Sequence, residues 1–396
     1  MERALDGVRV LDLTRVLSGP FCTALLADMG AEVLKVEHPD GGDGARMESA
    51  VTIKGESVYF MSLNRGKKSI TLNLKKEGGI QILKRLAEKA DVVVENFRPG
   101  VMEKLGISYP ILKEINPRII FVSISGFGKN SPHEQLPAFD LIAQAVGGIM
   151  SITGQPDDPP TRVGASLGDT ATALYAAFAI STALYARNLS GMGQYIDISM
   201  VDSIFSLLEI SLFKYLASGE IPGRIGSRHP VSYPYDVFRA ADGYYVIGTW
   251  DNTGFSRLCE VMGKTELPSL EKFSTDERRG KNAGELKAII EDWSSKLTVE
   301  DVLKRLEKGS VAAGPIFDMK QIAESQHIKA RQMLVEVEHP IAGKIRIPGV
   351  PLKFSLTPGR VERPSPLLGE HTEEILTTLL GYDKRAIQGL RDSGVI

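Results

Sequence analysis

Asp169 is the residue of this chain best placed to do chemistry. It stands in GASLGDT (164–170), directly after a glycine and ahead of the apolar run ATALYAAFAISTALYAR (171–187). That run is rich in good helix formers and reads as a buried helix. The stretch before it, SITGQPDDPPTRV (151–163), is broken by Pro and Gly, so the chain enters the helix from a turn. Asp169 is therefore expected at or near a helix N-terminus, where unpaired N–H groups and the helix dipole favour an ionised carboxylate. Such a carboxylate in an enclosed, apolar setting is a usable nucleophile toward an activated acyl group. Taken alone, an Asp ahead of a helix is more often a plain cap.

The same segment offers a rival nucleophile. Gly164-Ala165-Ser166-Leu167-Gly168 satisfies GxSxG, the serine hydrolase signature. That elbow needs a buried strand directly before the serine, and here the preceding residues are polar and interrupted by prolines. No spacing singles out a base among His229, His327, His339 and His371. The glycines are better read as close backbone packing around Asp169.

The elements that must carry Asp169 read as an α/β fold. VRVLDLT (8–14) is a short buried strand, and Ser18-Gly19-Pro20 opens a helix running to Met29, with Pro20 suited to a first turn. Gly30 ends it and EVLKVE (32–37) is the next strand, giving a βαβ unit. SITLNL (69–74), a helix over 79–89, DVVVEN (91–96) and RIIFVSI (118–124) continue the alternation toward an open, largely parallel sheet with helices on both faces. QYIDISM (194–200) is a further strand and VDSIFSLLEISLFKYLASG (201–219) one long helix. EIPGRIGSRHPVSYPYD (220–236) is the best linker candidate. YDVFRAADGYYVIGTW (235–250) reads as a hairpin turning at Asp242-Gly243, followed by the helical segments 285–297 and 299–309. KIRIPGVPLKFS (344–355) returns as strands.

Composition narrows the function. With 396 residues, two domains are expected. The predicted division is a large domain over 1–200 completed by 331–396, a linker helix and loop over 201–235, and a small domain over 236–330. Lys+Arg number 47 against Asp+Glu 49, so nucleic acid is not an expected partner. Cys22 and Cys259 belong to no CxxC or Cys/His cluster, so neither disulfide stapling nor a metal site is predicted. The opening MERALDGVRVLDL lacks the apolar run of a signal peptide and no stretch reaches membrane-spanning length, which predicts a soluble, cytoplasmic protein without a membrane partner. Glu37 ends the second strand as in dinucleotide-binding folds. However, the first turn, TRVLSGP, lacks GxGxxG, so NAD or FAD is not expected.

Six strings in order along the chain resemble the family III CoA-transferases (CaiB/BaiF type, the formyl-CoA transferase and carnitine CoA-transferase group). They are GVRVLDLTRVLSGPFCTALLADMGAEVLKVEHPDGGD (7–43), LNRGKKSITLNLK (63–75), ENFRPGVMEKLG (95–106), INPRIIFVSISGFG (115–128), the Asp169 segment, and GVPLKFSLTP (349–358) with PLLGEHTEEIL (366–376). The resemblance implies a large Rossmann-like domain, a smaller α/β domain and an interlocked, ring-like homodimer. It implies Asp169 as the covalent nucleophile, with coenzyme A and acyl-CoA as substrates rather than a permanently bound cofactor. CoA contacts fall on Val16, Leu17 and Ser18, on Leu72, Asn73 and Lys75, and on Asn96, Phe97, Arg98 and Lys104. His38 stands where many members have arginine for the CoA diphosphate. Lys67 and Lys68 read as exposed charges. Leu17 replaces the glutamine of members acting on oxalate and formate. Gly226, Ser227, Arg228 and His229 resemble the shorter acceptor loop of members using larger acids, and Arg228 or His229 could meet an acceptor's second carboxylate. The expected reaction moves CoA from an acyl-CoA to a free carboxylic acid. The nearest alternative is an α-methylacyl-CoA racemase of the same fold, which carries a histidine where this chain has Phe139 before Asp140. A CoA-binding subunit without its own chemistry is the other.

Overall fold

The first charged puzzle of the fold lies inside its opening strands. VRVLDL and EVLKVE alternate so that Val10 and Val33 face one apolar cluster while Leu11 and Leu34 face another. Both faces are covered, and the alternation places Asp12 and Lys35 inside with the valines. A computed structural model, describing residues 2–47 and 49–396, shows how the chain accommodates them.

Six strands form one parallel sheet: β1 (Arg9–Asp12), β2 (Glu32–Glu37), β3 (Lys68–Thr71), β4 (Val92–Glu95), β5 (Ile120–Ser125) and β6 (Tyr195–Ser199). Their order is β3-β2-β1-β4-β5-β6, so the winding reverses between β1 and β4. The loops after those two strands diverge and leave a crevice at the carboxyl edge. On one face, helix α1 (Ser18–Asp28) and helix α2 (Leu167–Ser190) pack through Cys22, Leu26, Ala173, Ala176 and Ile180. On the other, the helices Glu77–Ala87 and Thr372–Leu380 pack through Ile80, Leu83, Ile375 and Leu376. β3 is an edge strand, and the returning C-terminal segment covers it. His371 N donates to Ser69 O at 2.9 Å, Thr71 N to Thr372 Oγ1 at 3.0 Å, and Asn73 N to Val395 O at 2.7 Å.

The chain divides into two compact units, one made of 1–148, 164–207 and 326–396, the other of 149–163 and 208–325. The second unit is built on an antiparallel sheet in which Tyr244–Gly248 lies between Ala313–Pro315 and Tyr235–Arg239. The hairpin turns at Asp242-Gly243 as the sequence predicts. Phe238, Tyr245, Phe255, Leu286 and Leu306 fill its core. Arg279, also buried, donates to the carbonyls of Tyr233 and Phe273 and pairs with Asp276 at 2.8 Å.

Three local expectations are revised. The predicted long helix over 201–219 is two helices, Met200–Phe205 and Glu209–Ser218, with Glu209 at φ 43° opening the second. KIRIPGVPLKFS supplies only one strand, Gly343–Pro348, paired with Leu334–His339. Helix α2 is not buried all round. Phe178, Tyr185 and Leu189 remain 71%, 68% and 75% exposed on the side away from the sheet.

Candidate active site

A cavity of about 660 Å³ occupies the crevice at the carboxyl edge of β1 and β4. Its walls come from the loop after β1, the end of β2, the loops after β3 and β4, the segment 134–139 and the start of α2. Val16, Leu17, Ser18, His38, Leu72, Lys75, Asn96, Phe97 and Arg98 all line it, and so does Asp169. Nine residues predicted from four separate stretches are thereby gathered around the predicted nucleophile. Asn73 and Lys104 are not on its wall. Asn73 accepts from Lys75 N and anchors the C-terminal segment, whereas Lys104 is exposed on the short helix Val101–Lys104. Gly226, Ser227, Arg228 and His229 belong to the second unit. There Arg228 Nη1 donates to Gly280 O at 3.0 Å. His229 stacks on Tyr235, and its Nδ1 accepts from Ser232 N at 3.1 Å, which leaves the ring proton on Nε2.

Asp169 sits in the first turn of α2, two residues inside the helix start, and Ser166 holds the cap position without a side-chain cap bond. The plain-cap reading therefore does not describe it. The orphan N–H of Gly168 is instead satisfied by Asp140 Oδ1 at 2.8 Å, and Gln144 Nε2 donates to both Asp140 oxygens. A Cβ at Gly168 would stand 3.1 Å from the Ala143 methyl, so glycine keeps this approach close. Ser18, in the first turn of α1, lines the same cavity, and its hydroxyl and N–H act on the Asp169 carboxyl so as to lower its pKa. Two helix N-termini thus face one carboxylate. Even so, its pKa is pushed up to about 6, first by burial and then by the Asp140 carboxylate, against the opposing Ser18 donors. Against the sequence-based expectation of a favoured anion, burial and the Asp140 carboxylate raise the pKa. The residues before Ser166 form no strand, which removes the scaffold of a serine nucleophile elbow.

Several residues of the site escaped the sequence reading. Arg15 lines the cavity with its guanidinium 4.9 Å from the centre of the Phe97 ring, a cation–π distance. The Asn96 side-chain amide accepts from Arg15 N and donates to Arg15 O, both at 2.8 Å, which ties the loops after β1 and β4 together. Leu136, Phe139, Ile124 and Met200 make the wall apolar. Glu95, at the end of β4, is buried, and desolvation raises its pKa to about 7, while it accepts from Phe97 N at 2.8 Å. Lys67 is not an exposed charge but is wholly buried against Asp12 at 2.9 Å. Lys68 is partly buried and pairs with Glu32 and Glu374.

Comparison with known proteins identifies the lineage of this arrangement. The family model described as CoA-transferase family III matches residues 5–372. A succinyl-CoA:mesaconate CoA-transferase from Haloarcula marismortui is 44% identical over 94% of this chain and 96% of its own length. An acetyl-CoA:oxalate CoA-transferase from Acetobacter aceti is 43% identical over 92% of this chain and 93% of its own. The crystal structure of a CAIB/BAIF family protein from Brucella suis superposes with a TM-score of 0.86 at 36% identity, covering 96% of this chain and 100% of that one.

Proposed function

The chain belongs to CoA-transferase family III and is an enzyme of that class; from this premise we propose that it moves CoA from an acyl-CoA to a free C4–C6 dicarboxylic acid, with Asp169 as nucleophile. The observation that carries the reading is the Asp169 carboxyl, beside Ser18 on the wall of a largely apolar cavity whose other walls hold the predicted CoA-contacting residues. Asp169 attacks the donor thioester carbonyl, the C–S bond breaks, and a mixed anhydride and CoA thiolate result. The thiolate attacks the aspartyl carbonyl, releasing the donor acid as its carboxylate and leaving an aspartyl-CoA thioester. The acceptor carboxylate attacks this thioester and expels the thiolate again. Thiolate attack on the acceptor carbonyl of the second anhydride then frees Asp169. Thioester energy is conserved only if water stays out, and Leu13, Ile124, Leu136, Phe139 and Met200 supply an apolar wall for that.

The nucleophile must be ionised, so the pKa of about 6 sets the acid side of the activity profile. Transfer is expected to fall about tenfold per pH unit below 6 and to level off above 7. A profile flat from pH 5 to 8 would remove Asp169 from the chemical step.

Leu17 on the cavity wall leaves an apolar surface where a small polar acid would find no hydrogen bond. Each methylene buried there contributes roughly 0.8 kcal/mol. With succinyl-CoA as donor, mass spectrometry of the CoA products should show succinate-sized and slightly longer dicarboxylates preferred over oxalate. A preference for oxalate or formate would overturn this acceptor assignment. Equal use of a monocarboxylate of matched length would exclude Arg228 and His229 as partners of a second carboxylate.

The exposed stripe Phe178, Tyr185 and Leu189 on α2 supports a homodimer, proposed here as the interlocked form. Interlocked subunits separate only on unfolding. Subunit exchange between tagged and untagged protein under native conditions would exclude that topology.

A further inference from the structure

We propose that two buried ion pairs, Lys35–Asp43 and Lys67–Asp12, are positioning groups for the reaction, holding the backbone of residues 14–20 so that the Ser18 donors meet Asp169. The proposal rests on Asp169 being the nucleophile and adds residues that line no part of the cavity.

The loop between β1 and α1 is pinned by these side chains at three backbone atoms, Thr14 N, Thr14 O and Val16 N. Asp12 and Lys35 stand opposite each other in the β1–β2 register, on the face covered by α1. Asp12 Oδ1 accepts from Thr14 N at 2.9 Å, and its Oδ2 accepts from Thr23 Oγ1 of α1 at 2.6 Å. Lys35 Nζ donates to Thr14 O at 2.9 Å and pairs with Asp43 at 2.9 Å. Asp43 Oδ1 in turn accepts from Val16 N at 3.1 Å. Lys67 Nζ donates to Asp12, to Asn64 Oδ1 and to Pro20 O, at 2.8 to 2.9 Å. All four charged side chains are at most 3% exposed.

What they hold is strained. Val16 has φ 66°, a left-handed conformation that is strained for a β-branched residue. Gly19 follows, and a Cβ there would lie 2.2 Å from Thr14, so the helix starts hard against the loop. Ser18 falls between these two anchors. Buried ion pairs contribute little net stability compared with apolar pairs of similar volume, so stability is a weak reason for two of them beneath one loop. Directional anchoring of the loop is a sufficient one.

The test replaces each pair as a pair, Lys35→Met with Asp43→Ala, and Lys67→Met with Asp12→Asn, so that no charge is left buried alone. The second variant keeps an acceptor oxygen for Thr14 N and turns an amide donor toward the Thr23 hydroxyl, which can accept it, and it carries the test if the first does not fold. Two readouts are taken: kcat for CoA transfer, and the pH dependence of Asp169 labelling by a diazo reagent selective for protonated carboxyls, read by mass spectrometry without substrate. The groups acting on Asp169 are Ser18 and Asp140. Arg15, Glu37, His38, Lys75, Arg98 and Glu134 are the other titratable or charged side chains on the cavity wall. None of these is substituted in either variant; Glu37 loses the Lys35 cation in the first, so the second gives the cleaner reading. Loss of the Ser18 donors should move the labelling midpoint upward by roughly half a pH unit or more. It should also lower kcat by about 10²-fold. A folded variant with an unmoved midpoint overturns the proposal, whatever happens to kcat. If the wild-type protein transfers no CoA but the midpoint still moves, the functional reading fails and the positioning role stands.

Discussion

Asp169→Asn is expected to lower CoA transfer by about 10⁴-fold or more and, at neutral pH, to make the protein more stable. The amide keeps the size of the carboxyl and can still accept from Ser18, but it cannot form the anhydride. Incubation with acyl-CoA followed by hydroxylamine should mark residue 169 in the wild-type protein and nothing in the variant. The stability gain follows from linkage. The folded pKa of about 6 lies above the ordinary 3.8, so the native state holds the proton more tightly than the unfolded chain. The stabilising contribution of the protonated form is therefore fully present below pH 3.8 and lost as pH rises through 6. Above that, the ionised carboxylate costs about 1–3 kcal/mol, after allowance for its partial exposure. Urea unfolding should show the variant ahead of wild type at pH 8 and level with it near pH 3.5. Substantial retained transfer would sink the nucleophile assignment, and equal stability at pH 8 would sink the electrostatic account of the site.

Lys67→Met alone, by contrast, is expected to destabilise the large unit by about 3–5 kcal/mol at pH 7.5, because Asp12 is left buried without its closest cation. Burial by itself would raise the Asp12 pKa, but Lys67, Lys35 and the Thr14 and Thr23 hydroxyls hold it well below the usual carboxylate range. A depressed carboxyl contributes stability that is present above the unfolded pKa and lost as pH falls through the folded one. Without Lys67 the Asp12 pKa rises, so the gap between variant and wild type should narrow as pH is lowered toward 4. Asp12→Asn added to Lys67→Met should recover most of the loss. If the single variant were as stable as wild type at pH 7.5, the pair would not be a coupled buried unit.

The sheet and the Asp169 helix were legible because they rest on local patterns. VRVLDL and EVLKVE alternate, and ATALYAAFAIS is apolar on every face. The cavity residues were legible through their resemblance to known strings, which no periodicity supplies. Lys67 was misread because a Lys-Lys pair ahead of a strand is usually solvated. Yet the signal existed: Asp12 and Lys35 occupy inward positions of strands apolar on both faces, and such charges demand partners. The break at Leu208 was hidden because Leu-Leu-Glu continues a helical pattern, and only the positive φ at Glu209 marks it. The elevated pKa of Asp169 could not be read at all. It depends on Asp140, 29 residues earlier in the chain and brought close through the Gly168 N–H.

The covering of β3 by the chain's return has a consequence for biosynthesis. Ser69, Thr71 and Asn73 are made early, yet their partners His371, Thr372 and Val395 follow about 300 residues later. At a translation rate of about 5–20 residues per second, the edge stays open for roughly 15–60 s while the second unit is being synthesised. An open parallel edge invites pairing with other nascent chains. The large unit therefore matures only after residues 371–395 have been made, and lesions there should show as poor yield and aggregation before they show in turnover.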